Sequence, residues 1–180
     1  MRLNRYIDEA KYMEKIMIGF DFNNNMFKKI TNQIGDILKE NSIQYEEIKD
    51  KHISVVQIIG KYPKDDIIRE INSVRKIKFN PKELSKIYGP FVKKDFIVIE
   101  YKTHDEYIHI FKDIADKYDI RLFIGGPRPH ISLMKTEPKL IPDKLFNFIK
   151  ENVDSVLPRI LPSSISLFNK EARIDYTKKL

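Results

Sequence analysis

Hydrophobic positions along the chain follow two spacings, one typical of strands and one typical of helices. Short runs rich in apolar, β-branched and aromatic residues predict strands, and they lie at 15–22, 52–59, 95–101 and 130–135. Apolar residues three or four positions apart predict amphipathic helices, and these begin near Met26, Asp65, His104 and Pro142. Strands and helices therefore alternate along the chain, and a hairpin over 165–176 is predicted to end it.

The two halves of the chain repeat this order of elements. The tripeptide His-Ile-Ser occurs at 52–54 and at 130–132, and the two histidines are 130 − 52 = 78 positions apart. Shifting the first half by this distance places the first predicted strand on the strand over 95–101, and Tyr45 on Phe123. The order strand, helix, strand, His-Ile-Ser strand, helix thus occurs twice. We therefore expect an α+β fold of two pseudo-symmetric lobes, each an antiparallel sheet with outer helices, around a central cleft.

Length and composition indicate a globular protein. The 180 residues are 42% hydrophobic and 33% charged, which is ordinary for such a domain. Residues 1–12 lack the apolar segment of a secretory signal and are expected to form an N-terminal extension before one two-lobed domain over 13–180. No apolar run approaches the roughly 20 residues that span a membrane. The chain has no Cys, which excludes disulfides and Cys-based zinc sites and fits a cytoplasmic location, the host cytoplasm if the protein is viral.

The charge of the chain leaves two interpretations open. The formal net charge is +7 and the pI is about 9.3, which is compatible with an anionic partner such as RNA or a nucleotide. Because the charge is spread out, it also fits a lysine-rich solvated surface. We expect an oligonucleotide or cyclic nucleotide as the partner, and the sequence indicates no obligate protein partner.

The repeated tripeptide pairs an imidazole with a hydroxyl. Residues i and i+2 of a strand point to the same face, so His52 lies beside Ser54 and His130 beside Ser132. A pseudo-twofold axis would bring both pairs to one cleft. One imidazole can then take a proton from an attacking hydroxyl while the other protonates the leaving oxygen. The hydroxyls can hold phosphate oxygens, whereas two histidines are a poor metal site, so no metal or cofactor is expected.

The same alternation along a strand predicts which face each neighbour of these motifs occupies. It predicts that Val56 and Ile58 share the face of His52, and that Met134 shares the face of the second motif. It places Lys51 and Lys135 on the opposite face, away from the cleft, unless a β-bulge intervenes.

The paired motifs resemble those of the 2H phosphoesterase superfamily, in which His-x-Ser or His-x-Thr occurs on two strands about one lobe apart. The resemblance runs from about residue 15 to about residue 176. It implies that His52 and His130 are the general acid and base, in an order that the sequence leaves open. It also implies that Ser54 and Ser132 bind phosphate.

The superfamily also defines the expected function. It includes RNA 2′,3′-cyclic phosphodiesterases, enzymes that cleave 2′-5′ oligoadenylates, and phage proteins that, in anti-CBASS defence, destroy cyclic oligonucleotide alarm signals. The expectation is a metal-independent phosphodiesterase, a hydrolase of small RNA-type substrates. Its first expected substrates are cyclic or 2′-5′-linked immune signals, cleaved in viral immune evasion. The alternatives are an RNA 2′,3′-cyclic phosphodiesterase of RNA processing and a non-catalytic RNA- or nucleotide-binding module.

Three residues outside the motifs are candidates for substrate binding. Arg128 lies two positions before the second histidine and could contact phosphate. Aromatic side chains can stack on bases, and the candidates are Phe20, Phe22, Phe91, Tyr101, Phe168 and Tyr176. Phe22 and Tyr176 are preferred because strand ends more often reach the rim of a cleft. His104 and His109 belong to no motif and are assigned no role.

Overall fold

The computed structural model of the chain describes residues 15–59, 63–75, 78–89, 93–102, 112–113, 116–117, 121–124, 129–136, 141–169 and 174–180. Its helices are α1 (Lys28–Glu40), α2 (Lys64–Ser73) and α3 (Asp143–Val153). Its strands are β1 (Lys15–Asp21), β2 (Tyr45–Glu47), β3 (His52–Ile59), β4 (Pro81–Gly89), β5 (Lys94–Tyr101), β6 (Arg121–Ile124), β7 (His130–Thr136), β8 (Ser164–Phe168) and β9 (Ile174–Lys179). Residues 1–12 and most of the helix predicted near 104–118 lie outside the described residues; the described pairs 112–113 and 116–117 are helical.

The strands form two antiparallel sheets, as the α+β prediction requires. The first sheet has the order β6-β3-β1-β8-β9, and the second sheet has the order β2-β7-β5-β4. Each half of the chain places one short strand in the sheet of the other half, since β2 pairs with β7 and β6 pairs with β3. Tyr45 lies in β2 and Phe123 in β6, so the predicted shift of 78 positions superimposes equivalent strands. The predicted terminal hairpin is β8 paired with β9.

The core lies on one face of each sheet, beneath the helices. In β1 every second residue is buried, namely Ile16, Ile18 and Phe20. Helix α2 begins with acidic residues in its first turn, where they stabilise the helix dipole, and it contacts β9. Helices α1 and α3 contact each other and the strands β2 and β4 of the second sheet. Among the described residues, no helix has both the length and the apolar character needed to cross a membrane.

A β-bulge follows the motif serine in the first sheet. In the pairing of β1 with β3, Gly19 lies opposite Ser54 and Ile18 lies opposite Val56, which leaves Val55 as an extra residue. A bulge reverses the facing of the residues that follow it. Beyond the bulge, residues at even spacing from His52 therefore turn to the opposite side of the sheet, as Ile58 does.

The second motif strand has the same irregularity at the equivalent position. In the pairing of β5 with β7, Val98 lies opposite Ser132 and Ile97 lies opposite Met134, which leaves Leu133 as the extra residue. The two extra residues are 133 − 55 = 78 positions apart, the separation of the two histidines. The duplication therefore extends to a backbone distortion that the side-chain pattern does not reveal.

The two bulges correct the predicted facing of Ile58 and Met134, while the side chain of Val56 lies outside the described part of the structure. Ile58 is fully buried in the core. Met134 is also buried, beside Ile97. The alternation places these residues on the face of the histidines, and this is wrong because an extra residue interrupts the period of two.

Candidate active site

The two motifs begin two strands that meet where the sheets adjoin. His52 is the first residue of β3, His130 is the first residue of β7, and these two strands contact each other. Both histidines and the serines Ser54 and Ser132 are half-buried. Each motif is therefore partly open to solvent on a strand that is fixed within its sheet.

Matched backbone hydrogen bonds fix the start of each motif strand. The N–H of Phe22 donates to the carbonyl of Lys51 over 3.0 Å, and the N–H of Tyr101 donates to the carbonyl of Pro129 over 2.8 Å. Each accepting carbonyl belongs to the residue directly before a motif histidine. The two histidines thus follow equivalent backbone anchors, one in each sheet.

The ring of His52 is oriented by the backbone. Its Nδ1 lies 3.3 Å from the carbonyl oxygen of Asp50. A carbonyl only accepts hydrogen bonds, so the contact assigns the proton to Nδ1 and leaves Nε2 to exchange a proton with a substrate. This arrangement suits either a general base or, after protonation of Nε2, a general acid.

The hydroxyl of Ser54 has a weak partner that a phosphate oxygen can replace. Its Oγ donates to Sδ of Met17 over 3.0 Å, and a thioether is a poor acceptor. Exchanging that contact for a charged phosphate oxygen would gain a charge-assisted hydrogen bond.

Each motif histidine has an acidic residue opposite it on the neighbouring strand. Asp21 pairs with His52, and Glu100 pairs with His130. Oδ2 of Asp21 accepts a hydrogen bond from Ser164 over 2.9 Å, and a second one from Ser166. A carboxylate repels phosphate and accepts hydrogen bonds from hydroxyl or N–H groups, so Asp21 is not suited to bind a phosphate oxygen.

Lys135 lies on the face of the second motif, contrary to the uninterrupted alternation. In the pairing of β5 with β7, Lys135 lies opposite Phe96 and Ser132 lies opposite Val98, and Phe96 and Val98 share a face of β5. Lys135 reaches this face because the bulge at Leu133 intervenes. Its Nζ lies 2.8 Å from Oε2 of Glu46, and this contact lowers the pKa of the Glu46 carboxyl. The bulge thus brings a cation to the side of the sheet that carries the motif.

Phe168 is the aromatic residue that the structure places beside a motif histidine. Its ring centroid lies 6.1 Å from that of His52. Gly19 lies beneath the phenyl ring, and a Cβ at that position would stand 3.5 Å from Phe168 and 3.1 Å from the carbonyl of Ile53. Because Gly19 has no side chain, the Phe168 ring has room next to the imidazole of His52. Phe168 was one of several aromatic candidates in the sequence, but strand position did not single it out.

The two aromatic residues preferred from the sequence lie elsewhere. Phe22 is 6% exposed and packs edge-on against Phe79, with ring centroids 5.7 Å apart. It continues the inward alternation of β1, so its place at the strand end does not bring it to a rim. Tyr176 pairs with buried Leu167, and its hydroxyl donates to Oδ1 of Asn72 at the end of α2 over 2.8 Å. Both side chains face the core side of the first sheet.

The candidate Arg128 lies outside the described residues, as do His104 and His109, to which the sequence assigns no role. Over the ranges that are described, no three His, Cys, Asp or Glu side chains converge as metal ligands would.

Comparison with known proteins identifies the fold. No protein-family model and no curated protein matches the sequence. Usb1 of Kluyveromyces marxianus matches the structure with a TM-score of 0.57 and 8% identity, over 92% of this chain and 98% of Usb1. Usb1 with uridine monophosphate gives a TM-score of 0.58 and 8% identity, over 95% and 99% of the two chains. LigT of E. coli, complexed with phosphate, gives 0.45 and 9% identity, over 94% and 95%.

The match to Usb1 confirms the predicted architecture. It extends over nearly all of both chains. The chain therefore has the two-lobed α+β fold that the repeated motif predicts. At 8% identity the match establishes the fold, and the chemistry must be argued from the residues of this chain.

Proposed function

We propose that this protein is a phosphodiesterase that acts on small RNA-type substrates by acid–base catalysis from His52 and His130. The observation that supports this most strongly is the matched setting of the two motifs. Each motif begins a strand, is preceded by the same backbone anchor, and is followed by a bulge after the serine. Two identical proton-transfer groups on contacting strands suit a reaction that removes one proton and supplies another.

The proposed reaction balances without a further reactant. A 2′-hydroxyl or a water molecule attacks phosphorus while one imidazole takes its proton. One P–O bond forms and one breaks, and the other imidazole gives a proton to the oxygen that leaves. Ser54 and Ser132 donate hydrogen bonds to the non-bridging oxygens, which carry the negative charge as the attacking and leaving oxygens line up.

The proposed substrate is an RNA-type phosphodiester of small size. A protein of the same fold has been solved with uridine monophosphate, and the net charge of +7 suits an anionic ligand. Within this class, our finer proposal is a cyclic or 2′-5′-linked oligonucleotide signal, degraded by a viral or phage protein to evade immunity. The alternative is RNA that ends in a 2′,3′-cyclic phosphate.

Chromatographic product analysis in the presence of EDTA tests these proposals. The panel contains cyclic dinucleotides and trinucleotides, 2′-5′ oligoadenylate, and RNA with a terminal 2′,3′-cyclic phosphate. We expect metal-independent cleavage of at least one of them. Cleavage of the cyclic or 2′-5′ signals supports immune evasion, whereas opening of the terminal cyclic phosphate supports RNA processing. Binding of these nucleotides without any cleavage would favour a non-catalytic module and contradict the proposal.

Replacing Lys135 by Met is expected to lower kcat/KM by about tenfold, mainly through a higher KM. The change removes a cation from the face that carries Ser132, and a hydrogen bond to a charged group contributes about 1.5–3 kcal/mol. Steady-state kinetics on the substrate that the panel identifies would measure the effect.

Lys39→Met is the matched control for Lys135. Lys39 lies on α1, its side chain is 68% exposed, and its distance to Asp36 is 4.0 Å, so its removal should leave kcat/KM unchanged. Equal kinetics for Lys135→Met and the wild type would show that Lys135 does not meet the substrate.

A further inference from the structure

Lys51 is a lysine with a completely buried side chain, located directly before His52. The residue is 3% exposed and its side chain is 0% exposed. Lysine is seldom buried to this extent, because removing an ammonium group from water is costly unless partners replace the water. Burial lowers the pKa of Lys51, while the nearby Glu47 carboxylate opposes this shift.

The ammonium group joins the two motif strands. Nζ donates to the carbonyl of Leu133 over 3.2 Å and to the carbonyl of Ile48, and it lies 3.6 Å from the Glu47 carboxylate. Ile48 belongs to the segment that leads from β2 in the second sheet to β3 in the first. Leu133 is the extra residue of the β7 bulge, directly after Ser132. One side chain therefore connects the residue before one motif to the residue after the other.

The second half of the chain has no side-chain donor at the position equivalent to Lys51. The position that corresponds to Lys51 is 51 + 78 = 129, which is occupied by Pro129. The backbone anchors at Lys51 and Pro129 match, since the first carbonyl accepts the N–H of Phe22, directly after β1, and the second accepts the N–H of Tyr101, at the end of β5. Proline has no side-chain donor, so Pro129 cannot make the contact that Lys51 makes.

Replacing Lys51 by an apolar residue is expected to leave the fold stable, although the Ile48 carbonyl loses a donor. The carbonyl of Leu133 also accepts the N–H of Ile48 over 2.9 Å, so it keeps a donor if Lys51 is replaced. The side chain of Glu47 is 47% exposed and would be solvated rather than left as a buried charge. An apolar side chain of similar length would also avoid the cost of burying a cation.

We infer that Lys51 is a positioning residue that fixes the distance between the two motif strands, and so the placement of His52 relative to Ser132. For its kinetic consequences the inference rests on the proposed function. Proton transfer and phosphate binding need both strands within a fraction of an ångström, and a misplacement of about 1 Å can cost about 10²-fold in rate.

Lys51→Met and Lys51→Arg test this inference, with Lys39→Met as the exposed control. We expect Lys51→Met to lower kcat by about ten- to a hundredfold with little change in KM, because binding groups remain but are misaligned. Its thermal midpoint should equal or exceed that of the wild type. Lys51→Arg keeps the charge and donors and should recover part of kcat, and Lys39→Met should behave as the wild type.

Two kinetic outcomes would overturn the inference. Wild-type kcat in Lys51→Met would show that the connection does not align the site. A loss of kcat that follows a matching fall in thermal midpoint, in Lys51→Met and Lys51→Arg alike, would show that Lys51 only stabilises the fold.

An NMR experiment separates this inference from the proposed function. If the wild type cleaves nothing in the panel, the proposed function fails, but the connection between the strands can still be measured. We expect Lys51→Met to shift the amide resonances of Ser132 and Met134, which are far from position 51 in the sequence, together with the ring resonances of His52. Unchanged β7 resonances would contradict the inference.

Discussion

Replacement of His52 or His130 by Ala should reduce the cleavage rate by about two to four orders of magnitude. Each imidazole transfers one proton in the proposed reaction, and general acid or base catalysis contributes about 10²–10⁴-fold. Nucleotide affinity should change little, because the serines and Lys135 are retained. Single-turnover cleavage and equilibrium binding, measured on the same preparations, separate the two effects.

The other two histidines of the chain supply matched controls. His104→Ala and His109→Ala remove the same side chain from positions outside both motifs and should retain the wild-type rate. Full turnover in either motif variant would exclude acid–base catalysis by that histidine. A fall in affinity equal to the fall in rate would instead assign the histidine to binding.

Replacement of Ser54 or Ser132 by Ala is expected to lower kcat by about 10²-fold, the usual effect of losing one donor to a charged transition state. The change should affect stability little at Ser54, because its hydroxyl gives up only a contact with the Met17 sulfur. Ser54→Thr and Ser132→Thr keep the hydroxyl and should retain most of the activity. Rates and thermal midpoints of the four variants measure both effects.

Ser73→Ala is a control for the loss of a serine hydroxyl. Ser73 is exposed at the end of α2, and its Oγ donates to the carbonyl of Glu70, so its removal should not alter cleavage. If the threonine variants were as slow as the alanine variants, the site would depend on the size of the side chain and not on the hydroxyl group.

The sequence was sufficient to predict the architecture. Regular alternation and helical spacing depend on local residue types, so the strands around the motifs and the final hairpin could be located. The shift of 78 positions also predicted that Tyr45 and Phe123 occupy equivalent strands, as they do in β2 and β6. The pairing of each short strand with the sheet of the other half was not predicted, because it depends on contacts between distant segments.

The sequence could not predict which face of the sheet the residues beyond the motifs occupy. Alternation assumes an unbroken strand, and each bulge inserts one residue whose presence depends on the partner strand. Ile58 and Met134 consequently point into the core, and Lys135 moves to the face of its motif serine. Phe22 was misplaced for a simpler reason, since it continues the buried alternation of β1 past the end of the strand.

For Lys51, the local sequence pattern predicts the orientation of the side chain but not its partner. Strand alternation correctly turns its side chain away from the face of His52. The carbonyl that accepts its hydrogen bond belongs to Leu133, which is 133 − 51 = 82 positions away and is the extra residue of the second bulge. The local pattern thus indicates where Lys51 does not point, and the fold supplies its partner.

The central claim is that two copies of His-Ile-Ser form one catalytic site. The double variant His52→Ala/His130→Ala, compared with both single variants under single-turnover conditions, tests it most directly. Groups that act together in one step give strongly non-additive losses, so the double variant should be about as slow as the slower single variant. Losses that multiply in the double variant, or a single variant with the wild-type rate, would contradict a shared site.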